Sequence, residues 1–324
     1  MLARRLKIVL DGVEVGVTPM LVPAVSSRLN IELSKLLETL EEIVNGPLLV
    51  SAYDLHHSSK PLQMNFPDLI FIDSGGYECS KLEDISEIGM FDPESKEWNE
   101  NLHDETITNW NSQIPRVLIS YDHPKIREST NKQIERASAL FNEKPRALKE
   151  FLIKPETRNS TKINIREIQN NIAPISDFDI IGFAEKELGS SVLDRMVSIA
   201  KIRALFDAND LEIPIQVFGS LDPINTPLYY MSGADIFDGL SWLRFYFERG
   251  NAMYREGFGP KTLGVQADYH NVWISTIANN FNYLQRMKLD MERFSSTEDF
   301  NLFDGNSRYF KEAYSILSAK MEAK

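Results

Sequence analysis

The stretch Leu69-Ile-Phe-Ile-Asp-Ser-Gly-Gly-Tyr77 decides the fold. Residues 69–72 are a short apolar run with β-branched members, the composition of a strand buried on both faces of a parallel sheet. The run stops at Asp73. Two glycines follow, and glycine after a strand lets the backbone turn sharply or come close to a ligand. Tyr77 adds a ring beside the acid. A carboxylate, the Ser74 hydroxyl, bare backbone at Gly75 and Gly76, and a ring describe a small-molecule or base pocket. The plainer alternative is a tight turn with an exposed acid.

The same strand signal repeats on both sides. Upstream, residues 5–18 alternate apolar and polar around Asp11-Gly12, which reads as a β-hairpin. Residues 18–24 form a short buried strand. Residues 30–45 form an amphipathic helix with Leu33, Leu36, Leu37, Leu40 and Val44 on one stripe, Asn30 as its cap and Gly46 as its stop. Residues 48–53 are the next strand. Downstream, a polar insertion at about 80–115 precedes a strand at 117–121. Then come a helix at 131–142, a strand at 151–154, a helix at 164–171 and a strand at 178–182. A helix at 191–207 carries Val192, Met196, Ile199, Ile202 and Leu205 on its apolar face. A strand at 215–218, a helix at 223–231 and a strand at 235–237 complete the series.

Counted from Thr18, eight short strands alternate with mostly helical connections. That is the pattern of a parallel sheet, and eight units favour a closed (β/α)8 barrel (TIM barrel) of the α/β class over an open doubly wound sheet. No G-x-G-x-x-G follows any strand. The expected organisation is one domain over residues 1–324: an N-terminal hairpin at 1–17, the barrel at 18–264 and a C-terminal helical segment at 265–324. In that segment Ile274, Ile277, Phe281, Leu284 and Met287 share one stripe.

Composition sets outer bounds. Of 324 residues, 43% are hydrophobic and 25% charged, an ordinary globular balance. No apolar run approaches the ~18–20 residues that span a bilayer, and Asp11 and Glu14 interrupt any leader-like core near the N-terminus. The expectation is a cytoplasmic protein. Cys79 is the single cysteine, so neither an intrachain disulfide nor a cysteine-rich zinc site can form. A net charge of −12 argues against broad, non-specific binding to nucleic acid but leaves room for a local basic groove.

In a barrel of this kind the residues just past the carboxyl ends of the strands build the active site. Here those positions hold Asp73-Ser-Gly-Gly76, Asp122, Lys154, Gly182-Phe-Ala-Glu-Lys-Glu187, Gly219 and Asp238-Gly239. Three aspartates at separate strand ends are equipment for acid–base chemistry, for a carboxylate nucleophile or for a divalent metal. Asp54-Leu-His-His57 reads as a polar loop after a strand, because adjacent histidines on an extended chain point apart. Lys132 and Arg136 read as a solvated helix face. No G-x-S-x-G or P-loop is present.

Taken together, these segments resemble the tRNA-guanine transglycosylases, a (β/α)8 superfamily that includes DNA-acting 7-deazaguanine transglycosylases. Thr18-Pro-Met-Leu-Val-Pro23 is similar to the family's T-P-x-x-x-P. Asp73-Ser-Gly-Gly-Tyr77 is similar to D-S-G-G-[FY]-Q, with Glu78 in place of glutamine. Gly182-Phe-Ala-Glu-Lys-Glu187 resembles G-L-A-x-G-E, and Gly233-Ala-Asp-Ile-Phe-Asp238 resembles G-x-D-x-F-D. His270-Asn271 resembles a C-terminal H-N-L. The resemblance implies that Asp238 is a nucleophile attacking ribose C1′ and that Asp73 is the general acid/base. It implies that Ser74, Asp122 and the backbone of Gly182 and Phe183 read a base edge, that Tyr77 stacks on the base, and that Arg244 contacts the nucleic-acid backbone. Gly75, Gly76, Lys154, Gln216 and Gly219 fall at further substrate-binding positions. Two carboxylates flanking a sugar–base bond suit a retaining displacement, on a base taken out of its stack.

The chain departs from the family at two places. No cysteine lies between Asp238 and His270, so zinc is expected to be absent, no other cofactor is implied, and residues 250–268 would close by packing alone. Lys154, a pure donor, stands at a glutamine that both donates and accepts. The expected partners are a nucleic acid, tRNA by family default with DNA as rival, and a free guanine or 7-deazaguanine base, with a homodimer or partner subunit implied by the family. Two other readings stay open: a non-catalytic family member acting as a binding subunit, and a metal-dependent barrel hydrolase.

Overall fold

Short β-branched runs become strands wherever both of their faces can be covered. The computed structural model describes residues 2–80, 94–110, 112–123, 126–142, 144, 146–157, 159–303 and 305–323. The strands, in chain order, are β1 (Lys7–Leu10), β2 (Val13–Val17), β3 (Met20–Pro23), β4 (Leu48–Ser51), β5 (Ile70–Asp73) and β6 (Arg116–Ile119). They continue with β7 (Leu148–Ile153), β8 (Ile180–Ala184), β9 (Ile215–Phe218), β10 (Ile236–Gly239), β11 (Phe245–Glu248) and β12 (Asn251–Tyr254). β1 and β2 form the expected hairpin.

β3 to β10 make one eight-stranded parallel sheet in the order β3-β10-β9-β8-β7-β6-β5-β4. Ala24, the residue after β3, bridges Leu49 of β4 in parallel. With helices in the connections, the fold is an α/β (β/α)8 barrel with an N-terminal hairpin and C-terminal helices. No helix among the described residues is long and apolar enough to cross a membrane.

Two compact units divide the chain. The first contains Met1–Ile8, Gly16–Pro23 and Phe183–Lys324; the second contains Val9–Val15 and Ala24–Gly182. In the second unit the helix Leu33–Glu41 buries Leu33, Leu36, Leu37 and Leu40, as its stripe predicts. Its ends differ from expectation. Asn30 does not cap it; that residue is left-handed (φ 54°) and closes a 3-10 turn at Ser27–Leu29. The helix ends at Glu41, before Gly46, and the chain closes on a tighter turn in which Ile43 N and Val44 N share the Leu40 carbonyl. The polar insertion contains a helix, Glu100–Asn109, capped by Asn99, whose side chain accepts from Leu102 N. Its buried His103 and Ile107 explain why helix forms in a polar stretch. Residues 81–93 of the insertion lie outside the described residues.

In the first unit the helix Val192–Asp207 opens on a capping box between Ser191 and Asp194. Its buried face is Met196, Ile199, Ala200, Ile202, Arg203 and Phe206. The predicted stripe is therefore turned: Arg203 is inside and Leu205 only half-buried. Arg203 is fully buried because the equally buried Asp235, just before β10, accepts from its guanidinium. Arg203 also donates to the carbonyls of Gly233 at 2.9 Å and Ile213 at 3.1 Å. Asp235 in turn accepts from Ile215 N at 2.8 Å, which ties the starts of β9 and β10 to the helix. Residues 250–268 supply β12 and a helix, Arg255–Leu263, packed by Val272 of the long helix Tyr269–Thr297 against Gly259.

Removing one partner of a fully buried ion pair strands the other charge. Arg203→Met is expected to cost about 3–5 kcal/mol of folding stability, read as a lower urea midpoint at unchanged slope.

Candidate active site

Asp73 is the last residue of β5, and the backbone turns immediately after it. Gly75 has φ +83°, a left-handed conformation that glycine adopts without strain. A Cβ there would lie 2.5 Å from Tyr53 Cβ and 3.0 Å from Trp98 Nε1. At Gly76 a Cβ would lie 2.5 Å from Asp122 Oδ1. The paired glycines thus let the β5 loop press against the Asp122 carboxylate, which sits three residues beyond the end of β6.

Polar side chains fill the rest of that contact. Ser74 is fully buried, accepts from Gly76 N at 3.2 Å and donates its hydroxyl proton to Asp122 Oδ1. Lys154, the residue after β7, places Nζ 3.5 Å from the other oxygen, Asp122 Oδ2. The Lys154 backbone is itself bracketed by Gln133: Lys154 N donates to Gln133 Oε1 at 2.9 Å and Gln133 Nε2 donates to Lys154 O at 3.0 Å. Between the ends of β6 and β7 a cleft lined by Asp122, Arg127, Arg136, Phe151 and Lys154 has room of about 30 Å³, space for water and not for a base.

These surroundings act on Asp73. Burial pushes its carboxyl up to about 6, the negative charge of Asp122 adds to the rise, and the Gly75 N–H (3.3 Å) and Lys154 oppose it. A carboxyl poised near neutrality can give up a proton and take one back. The neighbouring Glu78 is pushed well above the usual carboxylate range, by burial first and then by Asp54 and Asp73. Burial raises the Cys79 thiol to about 12, so it is the inert cysteine and not a nucleophile.

In the other unit Asp238 lies inside β10, beside Val22 of β3, and is only 6% exposed. The fully buried Gln216 of β9 donates from Nε2 to Asp238 Oδ1 at 3.1 Å, which holds the carboxylate in place. Gln216 thus positions an acid. Its oxygen, Oε1, has no hydrogen-bond partner among the described residues. Gly219 follows β9 with φ +81° and open space where a Cβ would point. Arg244 ends the short helix Ser241–Arg244 that follows β10.

Several expected site residues sit differently from their sequence reading. β8 runs to Ala184, so Gly182 and Phe183 are within the strand and Phe183 is fully buried. Tyr77 has one ring face covered by the Arg28 guanidinium, 4.7 Å from the ring centroid. Asp54-Leu-His-His57 is helical, part of Ala52–His57, and Asp54 is buried, accepting from Ser27 N at 3.0 Å. Arg136 is not a solvated face; it bridges Glu100 at 2.6 Å and Glu128 at 2.5 Å, because the insertion helix brings Glu100 to it. Among the described residues no group of three or more His, Cys, Asp or Glu side chains could hold a metal ion.

Two residues at the site carry no motif. Trp98 donates from Nε1 to Ser74 O at 2.9 Å and stands edge-on to Tyr53, bracing the β5 loop. Gln133 clamps Lys154 from a helix that reads only as amphipathic. No family model matches this chain, and no characterised protein matches it either.

Asp73 has an ordinary value of 3.8 and a folded value of about 6. Between those values the folded state binds more protons, so ionising Asp73 removes stability as pH rises through about 6. Asp73→Asn is expected to stabilise the fold at about pH 7.5 by on the order of 1 kcal/mol, and to change little near pH 4. Chemical denaturation at the two pH values checks it.

Proposed function

We propose that this chain exchanges bases on a nucleic acid, removing guanine and installing a 7-deazaguanine-type base through a covalent aspartyl-ribose intermediate. The observation that carries the reading is Asp73: a carboxyl at a barrel strand's carboxyl end, set near neutrality by burial and by Asp122. Base exchange needs such a group, because a departing purine must be protonated and an incoming one deprotonated. Asp238 is the nucleophile. Gln216 supports that role by orienting one of the Asp238 carboxylate oxygens.

Ser74, Asp122 and Lys154 read the base. Asp122 accepts only and Lys154 donates only, so the pair suits an edge carrying an N–H beside a carbonyl. A base enters the cleft once Lys154 leaves Asp122, since the two span it at 3.5 Å. The chemistry runs on carboxylates and calls for no cofactor. Its polymer is tRNA or DNA, and its place is the cytoplasm.

Radiolabelled guanine incorporation, run in parallel on tRNA and on DNA, tests the reading. Labelling of one polymer and trapping of a protein–nucleic-acid adduct are expected. Asp238→Ala should abolish the adduct, and Asp73→Asn should slow its formation by about 10²–10⁴-fold. In single-turnover runs the adduct-forming step should slow as pH rises through about 6, as the neutral Asp73 is lost. Absence of both label and adduct on both polymers refutes the proposal and favours a binding subunit.

A further inference from the structure

The unit that contains Phe183–Lys324 holds a cavity of about 350 Å³ beside the β11–β12 turn. Small-molecule sites occupy roughly 300–1,000 Å³. None of the residues given a role above lines it. One wall is apolar: Phe247, Met287, Phe303 and Phe310, each at most 6% exposed.

Unused donors and acceptors face that wall. Arg249 is exposed, and its guanidinium makes no hydrogen bond or ion pair with a described residue. Among the described residues Arg286 makes one long bond, from Nε to Asn282 O at 3.4 Å. The Tyr283 hydroxyl accepts from Gly250 N at 3.1 Å, which leaves its own proton to give. Glu248 and Asp290 supply carboxylates, and neither side chain is hydrogen-bonded or ion-paired among the described residues.

The turn itself is held in a costly form. Glu248 pairs with Asn251, so Arg249 and Gly250 alone make the turn. Both have positive φ, +45° and +76°, the pattern of a type I′ turn, which favours Asn, Asp or Gly at the position Arg249 occupies. Asn306 fixes the turn from the other side, donating to Gly250 O at 2.7 Å. Backbone strain of this kind concentrates where a side chain must be presented to a ligand.

We propose that this cavity binds a nucleoside 5′-monophosphate, with Arg249 and Arg286 on the phosphate, Asp290 and Glu248 on the ribose hydroxyls, and the base against the phenylalanine wall. Each part of the lining has a matching part of that ligand. Guanidinium groups are the preferred partners of phosphate. Carboxylates accept from ribose hydroxyls. Aromatic side chains stack on bases whatever their sequence. An amino acid would satisfy the charges but leave most of the wall bare. The proposal is independent of base exchange. A free nucleotide offers all of that chemistry, and the 5′-phosphorylated end of an RNA strand offers the phosphate, the base and the 2′-hydroxyl.

Isothermal titration of the full chain with guanosine and adenosine 5′-monophosphates tests it. One saturable site is expected, with guanosine and inorganic phosphate each at least about 10-fold weaker. Arg249→Gly removes the strain, so it should raise the melting temperature while weakening nucleotide binding by about 10-fold. Arg286→Ala should weaken binding similarly. Displacement of the nucleotide by a short 5′-phosphorylated single-stranded RNA assigns the ligand to a strand end; lack of displacement assigns it to the free pool. The proposal is overturned by absent saturable binding, by inorganic phosphate binding as tightly as the nucleotides, or by both variants keeping wild-type affinity.

Discussion

A parallel strand covered on both faces carries a charge most cheaply at its end, and elsewhere only where a polar partner meets it. Asp73, Asp122, Lys154, Asp235 and Asp238 follow that constraint. Asp73 closes β5, Lys154 follows β7 and Asp122 follows β6, each at the carboxyl end of a run of buried aliphatic residues. Asp235, at the opposite end of its strand, survives full burial because Arg203 comes in from the helix Val192–Asp207 to meet it. Most of the interior is thereby left to dispersion and apolar burial, and Asp73, Asp122 and Lys154 gather where the backbone groups end their ladder.

The acid at the end of β5 illustrates how such a position acquires a shifted carboxyl. A carboxylate in water would titrate in its ordinary range. Here two glycines allow the loop to fold close enough for a second carboxylate, Asp122, to sit against it. Burial first, and that approach second, raise the cost of ionising Asp73, while the Ser74 hydroxyl and the Lys154 ammonium keep Asp122 supplied with donors. Asp73 is the poised member and Asp122 the anchored one. Asp238 is held by another kind of donor, the Gln216 amide on the adjacent strand. Trp98 holds the backbone of Ser74 and Gln133 that of Lys154, so part of the accuracy at the ends of β5 and β7 comes from residues behind the charged groups.

Most of the fold was legible in the chain because burial leaves a periodic trace. Eight apolar runs, the hairpin around Asp11-Gly12 and the leucine stripe of the helix Leu33–Glu41 each advertise the face they bury. The element ends were less legible, since competing turns decide them: Asn30 was taken into a 3-10 turn, and Ile43 and Val44 share the Leu40 carbonyl in a tighter turn before Gly46. The insertion helix Glu100–Asn109 was invisible because its polarity outweighs its two buried residues. Arg203 defied its apolar stripe for a reason no periodicity carries, a partner about thirty positions away that burial makes obligatory.

The candidate site divides along the same line. The sequence alone determined that acids, glycines and a lysine would gather at strand ends, because in a parallel barrel a run of buried residues can stop nowhere else. It placed Asp73, Asp122 and Asp238 at or near the ends of separate strands. Only the tertiary structure decided which of them is held near neutrality, which is anchored by Ser74 and Lys154, and that Arg136 is a bridging cation instead of a solvated one. It alone exposed the strained Arg249 beside an aromatic cavity. Those properties depend on distances of a few ångströms between residues far apart in the chain, and electrostatics in a dry interior is governed by such distances.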